Sequence, residues 1–250
     1  MGEYKINCKE ELKNFITTSS YDHLLKTFQK LPQGKGHIVH VLGAPGTGKS
    51  TNIYQAIEEL GLNVYEAKLI LPSQDLNSRD IFNLMLESIR EDLEITSSNS
   101  ILPYLGKFDA VLFADQFHDS HLVNRGKVGF SQWTDYNGLK SLGFYLICIN
   151  EYLKHTNDFK NINMLLQTAW RIRLRGEKKD LFTDMGPFSS LSVALMRGLF
   201  DVVEISYSEE ETINIVKSHL SDACTDDIQH YIKKYGRKPR FICDAIKTGL

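Results

Sequence analysis

The stretch HVLGAPGTGKSTN, residues 40–52, sets glycines at 43, 46 and 48 immediately before Lys49 and Ser50. Each of these residue types suits one chemical task. Glycine takes up backbone conformations and close approaches that a Cβ forbids. Successive backbone N–H groups in such a loop cradle an anion, and a helix opening directly behind it adds the positive end of its dipole. A lysine placed there reaches the outer phosphates of a nucleoside triphosphate, and a serine hydroxyl is a ligand for Mg2+. The spacing Gly43-x-x-x-x-Gly48-Lys49-Ser50 is that of a phosphate-binding loop, provided that a strand leads in and a helix leads out. The cradle then comprises Gly43, Ala44, Pro45, Gly46, Thr47, Gly48, Lys49, Ser50 and Thr51, and its expected ligands are a nucleoside triphosphate and Mg2+.

The flanking residues meet that condition. Residues 37–43, HIVHVLG, form a short apolar, β-branched run bounded by turn residues, which reads as a buried strand. Behind the loop, Ile53, Ala56, Ile57 and Leu60 share one helical face, with Gly61 as the stop. Further strands are expected over 63–71, 108–117, 143–150 and 199–207, and a helix capped by Ser78 over 78–95. These strands are apolar almost throughout and alternate with helical stretches, the pattern of a parallel sheet covered on both faces. Residues 1 to about 35 read as polar and helical. After Tyr207 the strands stop, and three short helices are expected over 208–220, 226–236 and 238–250. The division is therefore an α/β nucleotide-binding domain over 1–207 and an α-helical lid over 208–250.

Bulk composition narrows the classes. The chain has 250 residues, 42% hydrophobic and 24% charged, with a net charge of −2, which argues against a broadly basic surface that coats nucleic acid. Its four cysteines include no CxxC pair, so neither a disulfide framework nor a zinc site is expected. No apolar run approaches the roughly 20 residues of a membrane span, and the first residues lack the apolar core of a signal peptide. The expectation is a cytoplasmic protein with no membrane partner.

Downstream segments resemble those of the AAA+ ATPases, of the origin-recognition-like or STAND-like type. FDAVLFADQFHD, residues 108–119, is similar to the family's Walker B strand and places Asp115 as the second Mg2+ ligand, through water. FYLICIN, residues 144–150, resembles the sensor 1 strand and places Asn150 at the γ-phosphate. ALMRGLFDVVEIS, residues 194–206, matches the segment that carries an arginine acting in trans, here Arg197. YGRKPR, residues 235–240, looks like sensor 2 and puts Arg240 on the lid. The resemblance implies a five-stranded sheet in the order 5-1-4-3-2, ATP hydrolysis, possible homo-oligomers through Arg197, and a macromolecular partner, either DNA or another protein.

One departure bears on turnover. Where most members carry a glutamate that polarises the attacking water, this chain has Gln116, and a glutamine cannot accept a proton at neutral pH. Hydrolysis is expected to be slow, with Asp119 and Glu151 as possible substitute bases. Three function classes follow: an ATP-driven or ATP-switched AAA+ module, a P-loop small-molecule kinase, and a nucleotide-binding scaffold without turnover. Other signals are weaker. His118 and His121 read as an ordinary polar loop, since no third metal ligand follows at a recognisable spacing. The basic run WRIRLRGEKK, residues 170–179, reads first as a solvated helix end and second as a phosphate contact. Phe130, Trp133 and Tyr136 read as loop aromatics partly buried at the sheet edge.

Overall fold

A computed structural model describes residues 14–66, 76–96, 101–107, 110–114, 139–168, 171–174 and 177–249. Seven strands are described: β1 (Ile38–Leu42), β2 (Val64–Glu66), β3 (Val111–Ala114), β4 (Met164–Thr168), β5 (Arg171–Leu174), β6 (Glu177–Asp180) and β7 (Asp201–Glu204). The longer helices are α1 (Ser19–Phe28), α2 (Lys49–Leu60), α3 (Ser78–Asp92), α5 (Leu139–Lys154), α7 (Pro187–Arg197), α8 (Glu209–His219), α9 (Thr225–Tyr235) and α10 (Pro239–Thr248). Two one-turn helices, α4 (Leu102–Leu105) and α6 (Thr156–Phe159), and a 3-10 turn, Leu31–Gln33, are also described.

Five strands form one parallel sheet in the order β2-β3-β4-β1-β7, and β5 pairs with β6 as a separate antiparallel hairpin. β1 lies between β4 and β7, with Ile38 opposite Met164 and Val39 opposite Asp201. Alternation along β1 divides its side chains between two covered faces. Val39 and Val41 join Leu24 and Phe28 of α1 and Ile53 and Ile57 of α2 in the largest core cluster. On the other face Leu42 and Val202 pack with Phe182 and with Val193 of α7. A sheet buried on both faces accounts for the near-continuous apolar strands.

The sequence reading of 143–150 as the fourth strand is overturned. Those residues lie inside α5, and the place between β3 and β1 belongs to β4, which the pattern had not singled out. The apolar run does not stop at Asn150 but carries on through Tyr152 and Leu153, giving a helix of 16 residues. At that length a 3.6-residue period wins, because short apolar runs alone do not separate helix from strand. Ile147 and Cys148 pack against Ile81 and Phe82 of α3. Counted among the sheet's own five strands the order is 2-3-4-1-5, but its fourth member is 164–168.

Smaller corrections follow from local chemistry. The cap of α3 is Asn77, not Ser78: its side chain accepts from the N–H groups of Arg79 and Asp80, while Asp80 accepts from Asn77 N in return. The basic run at 170–179 is not a helix end, since Arg171–Leu174 and Glu177–Asp180 pair as a hairpin. The three C-terminal helices fall within one or two residues of the expected bounds and share a small core of Val216, Ile228, Ile242 and Cys243. No helix among the described residues is long and apolar enough to cross a membrane.

Candidate functional site

The glycine-rich segment runs from the end of β1 to the start of α2, at the C-terminal edge of the sheet. Gly46 and Gly48 have φ of 84° and 73°, a region that glycine enters without the penalty a Cβ brings. Gly43 is required for a different reason. A Cβ there would lie 2.9 Å from Thr47 Oγ1, 3.0 Å from the Ile205 carbonyl oxygen and 3.2 Å from Lys49 Cγ. The loop is folded tightly enough to exclude any side chain at that point.

Hydrogen bonds fix the loop from within. Thr47 Oγ1 donates to Ala44 O at 2.8 Å, and Lys49 Nζ donates to Gly43 O at 2.7 Å and Ala44 O at 3.3 Å. Asn52 Nδ2 donates to Gly48 O at 2.8 Å and to the Tyr207 hydroxyl at 3.0 Å. That hydroxyl donates in turn to Thr47 O at 2.6 Å, and burial pushes its pKa up to about 12. Tyr207 therefore stays a neutral donor and ties the loop to the segment that leads into α8. Lys49 is only 5% exposed, so its ammonium is largely desolvated and its charge acts at close range. No side chain caps the first turn of α2 among the described residues, and Gly48 stands at the cap position in the left-handed conformation. A helix start of that kind favours a negative group.

The C-terminal helices meet this loop through backbone and ring. Arg240 N, in the first turn of α10, donates to Gly46 O at 3.2 Å, and the Phe241 ring stands 3.4 Å from where a Gly46 Cβ would be. Arg240 thus lies at the loop through its main chain, while its residue as a whole is exposed. Arg237 Nη1 donates to Tyr207 O at 3.2 Å, just before the start of α8.

Other expected site residues fall elsewhere. Asn150 is exposed on α5 and does not stand at the end of a sheet strand. The place between β3 and β1 ends instead in Gln167 and Thr168 of β4. Gln167 Oε1 accepts from Ser50 Oγ at 2.9 Å, and Thr168 Oγ1 lies 3.0 Å from His40 Nδ1. Sequence reasoning missed Gln167; the apolar run INMLL before it (162–166) was the available signal. Arg197, at the end of α7, pairs with Glu204 of β7 at 2.6 Å and is 54% exposed at its side chain. Glu151 is bound to Arg79 at 3.4 Å and Lys154 at 3.2 Å on the α3–α5 side. Asp115 and Gln116, with Asp119, His118, His121, Phe130, Trp133 and Tyr136, lie outside the described residues.

Ser50 offers one hydroxyl oxygen in the first turn of α2, a minimal protein contribution to a cation such as Mg2+, which commonly keeps several waters. Among the described residues no group of three or more His, Cys, Asp or Glu gathers as an all-protein metal site. A scan against protein-family models finds no match for the chain, and neither does a search of the curated proteins.

Proposed function

We propose that the protein binds ATP with Mg2+ on the loop 43–51 and hydrolyses it slowly, as an AAA+-type module that couples nucleotide state to a macromolecular partner. The observation that carries the reading is the loop itself: a strand, a tightly folded glycine turn and a helix start, with the Lys49 ammonium folded inside. Support also comes from the five-stranded parallel sheet, which is compatible with a P-loop core although 143–150 is not one of its strands, and from the three C-terminal helices, which touch the loop at Gly46.

Each residue then has a defined task. Backbone N–H groups of the loop bind phosphate oxygens. Lys49 leaves the Gly43 and Ala44 carbonyls for the outer phosphates and neutralises the charge that builds there. The Ser50 hydroxyl holds the cation, with Asp115 as its expected second ligand, and Gln167 orients that hydroxyl from β4. Mg2+ supplies charge neutralisation and a template for the phosphates. Gln116 orients a water without taking its proton, which keeps turnover low. Phe241 and the start of α10 shield the loop from solvent.

Titration of the full chain with MgATP by calorimetry tests the reading. Binding is expected in the wild type and none in Lys49→Ala; equal affinity in both proteins overturns the assignment. A phosphate-release assay with and without DNA, and with a panel of acceptor nucleosides, then separates the classes. Slow release that Gln116→Glu accelerates supports the ATPase. Transfer to an acceptor makes the protein a kinase, and binding without release makes it a nucleotide-held scaffold.

A further inference from the structure

Two buried side chains beside the glycine loop carry no chemistry of their own, and both grip its backbone. Asn52 lies in the first turn of α2 at 4% exposure, and Tyr207 lies just before α8 at 6%. They stand 155 positions apart in the chain, and Asn52 Nδ2 donates to the Tyr207 hydroxyl. Each then holds one carbonyl of the loop: the hydroxyl donates to Thr47 O and the amide donates to Gly48 O. The pair is fully spent in this way, since a phenol has one proton to give and a carboxamide nitrogen has two.

The two carbonyls belong to consecutive peptides, and that gives the arrangement a direction. A trans peptide is planar and sets its C=O and N–H on opposite sides. Among the described residues no peptide bond is cis. Holding Thr47 O toward Tyr207 therefore turns the Gly48 N–H away from Tyr207, and holding Gly48 O toward Asn52 turns the Lys49 N–H away from Asn52. Gly48 O also accepts from Asn52 N at 3.0 Å along the axis of α2, so the Lys49 N–H leaves through the start of that helix. A Cβ on Gly48 would lie 3.6 Å from the Tyr207 hydroxyl and 3.7 Å from Asn52 Nδ2, so the pair fills one side of the loop there.

We propose that Tyr207 and Asn52 are positioning residues for phosphate binding: together they turn the Gly48 and Lys49 N–H groups toward the oxygens of a nucleoside triphosphate. This rests on the nucleotide reading given above. Both side chains act through the backbone of the loop and stand on its far side from the phosphates. No proton or bond changes hands.

The benefit is preorganisation. Glycine at 48, with φ of 73°, leaves the two peptide planes free to swing unless something outside the loop holds them. A loop already set in its binding form pays less to order itself around a ligand. The same argument says why position 207 carries a hydroxyl. A phenylalanine would keep the ring within the main core cluster, but Thr47 O would lose this donor in a buried place, where an unmade hydrogen bond is costly. Tyr207→Phe therefore removes the grip and leaves the packing.

Calorimetric MgATP titration of the full chain, well below the thermal midpoint of each protein, is paired with NMR spectra of the Gly48 and Lys49 amides. In the wild type, saturating MgATP is expected to move both amide resonances. Tyr207→Phe is expected to bind MgATP about tenfold more weakly and to show a smaller nucleotide-induced movement at Gly48. Asn52→Ala is expected to weaken binding by a smaller factor, because Gly48 O keeps its bond from the backbone N–H of residue 52. A lowered thermal midpoint with affinity within about twofold of wild type in both variants makes the pair structural only and overturns the proposal. So does a wild type that binds MgATP while both amides stay still, and this arm decides even where a variant fails to fold. Failure of MgATP to bind the wild type strikes the nucleotide reading instead, and the proposal falls with it.

Discussion

At the scale of single residues, steric demand is as informative as charge. Gly43 sits in an ordinary region of backbone space, yet three atoms within 3.2 Å leave no room for a methyl group. Gly43→Ala is expected to cost about 1–3 kcal/mol, the usual penalty of overpacking, and to displace Lys49 Cγ from its path. Urea unfolding should register the first effect and MgATP titration the second. Unchanged stability would mean that the loop relaxes freely, contrary to its internal hydrogen bonds. The loop was legible in the sequence because its backbone admits few residue types at fixed spacing. Gln167 and Tyr207 were not, since each acts through a neighbour more than 100 positions away, and a Gln or Tyr alone carries no signature.

At the scale of elements, the start of α8 is held by one carboxylate. Glu211, in the first turn of α8, accepts from Ser208 N at 2.7 Å, from Ser19 N at 2.8 Å and from Ser19 Oγ at 2.9 Å. It closes the capping box of α8 and ties that helix to the start of α1. Partial burial pushes its pKa upward, but the donors from Ser208 and Ser19 outweigh it and hold the carboxyl below its ordinary value. A lowered folded-state value means stability that is present above the unfolded value near 4.5 and lost as pH falls through the folded one. Glu211→Gln should therefore lower the thermal midpoint at pH 7, and the gap to wild type should shrink as pH falls below about 4. A gap independent of pH would assign the role of Glu211 to packing instead. Elements with caps and stops, such as α2 and α8–α10, were readable for that reason. β4 was not: its five residues carry no alternation, and the longer apolar run at 139–154 drew the strand assignment to itself.

At the scale of the whole molecule, the surface near α7 bears on assembly. Phe188, Leu191, Leu195 and Leu199 are each more than half exposed along that helix and its exit, beside the exposed Arg197. In the AAA+ reading Arg197 serves a neighbouring copy's nucleotide, and such arginines are worth about 10³–10⁵ in rate in P-loop enzymes. ATP turnover per chain should then rise with protein concentration, and Arg197→Ala should cut turnover while leaving MgATP affinity within about twofold. Constant specific activity over a hundredfold concentration range, together with an inert Arg197→Ala, would remove the assembly from the proposal and leave a monomeric switch.

The strand order carries a consequence for synthesis. β1 finds its sheet partners only in β4 and β7, so the strand that leads into the glycine-rich loop has no neighbour until residues 164–168 have left the ribosome. The first two-thirds of the nascent chain holds the loop sequence but lacks the sheet that shapes it. Closing contacts over such separations is slow, and a bare strand edge invites wrong pairing meanwhile. Chains halted before residue 164 should associate with holdase chaperones and be cut readily by protease. Chains carried past residue 207 should resist the protease and retain ATP resin, which would date the birth of the pocket to a definite point in translation.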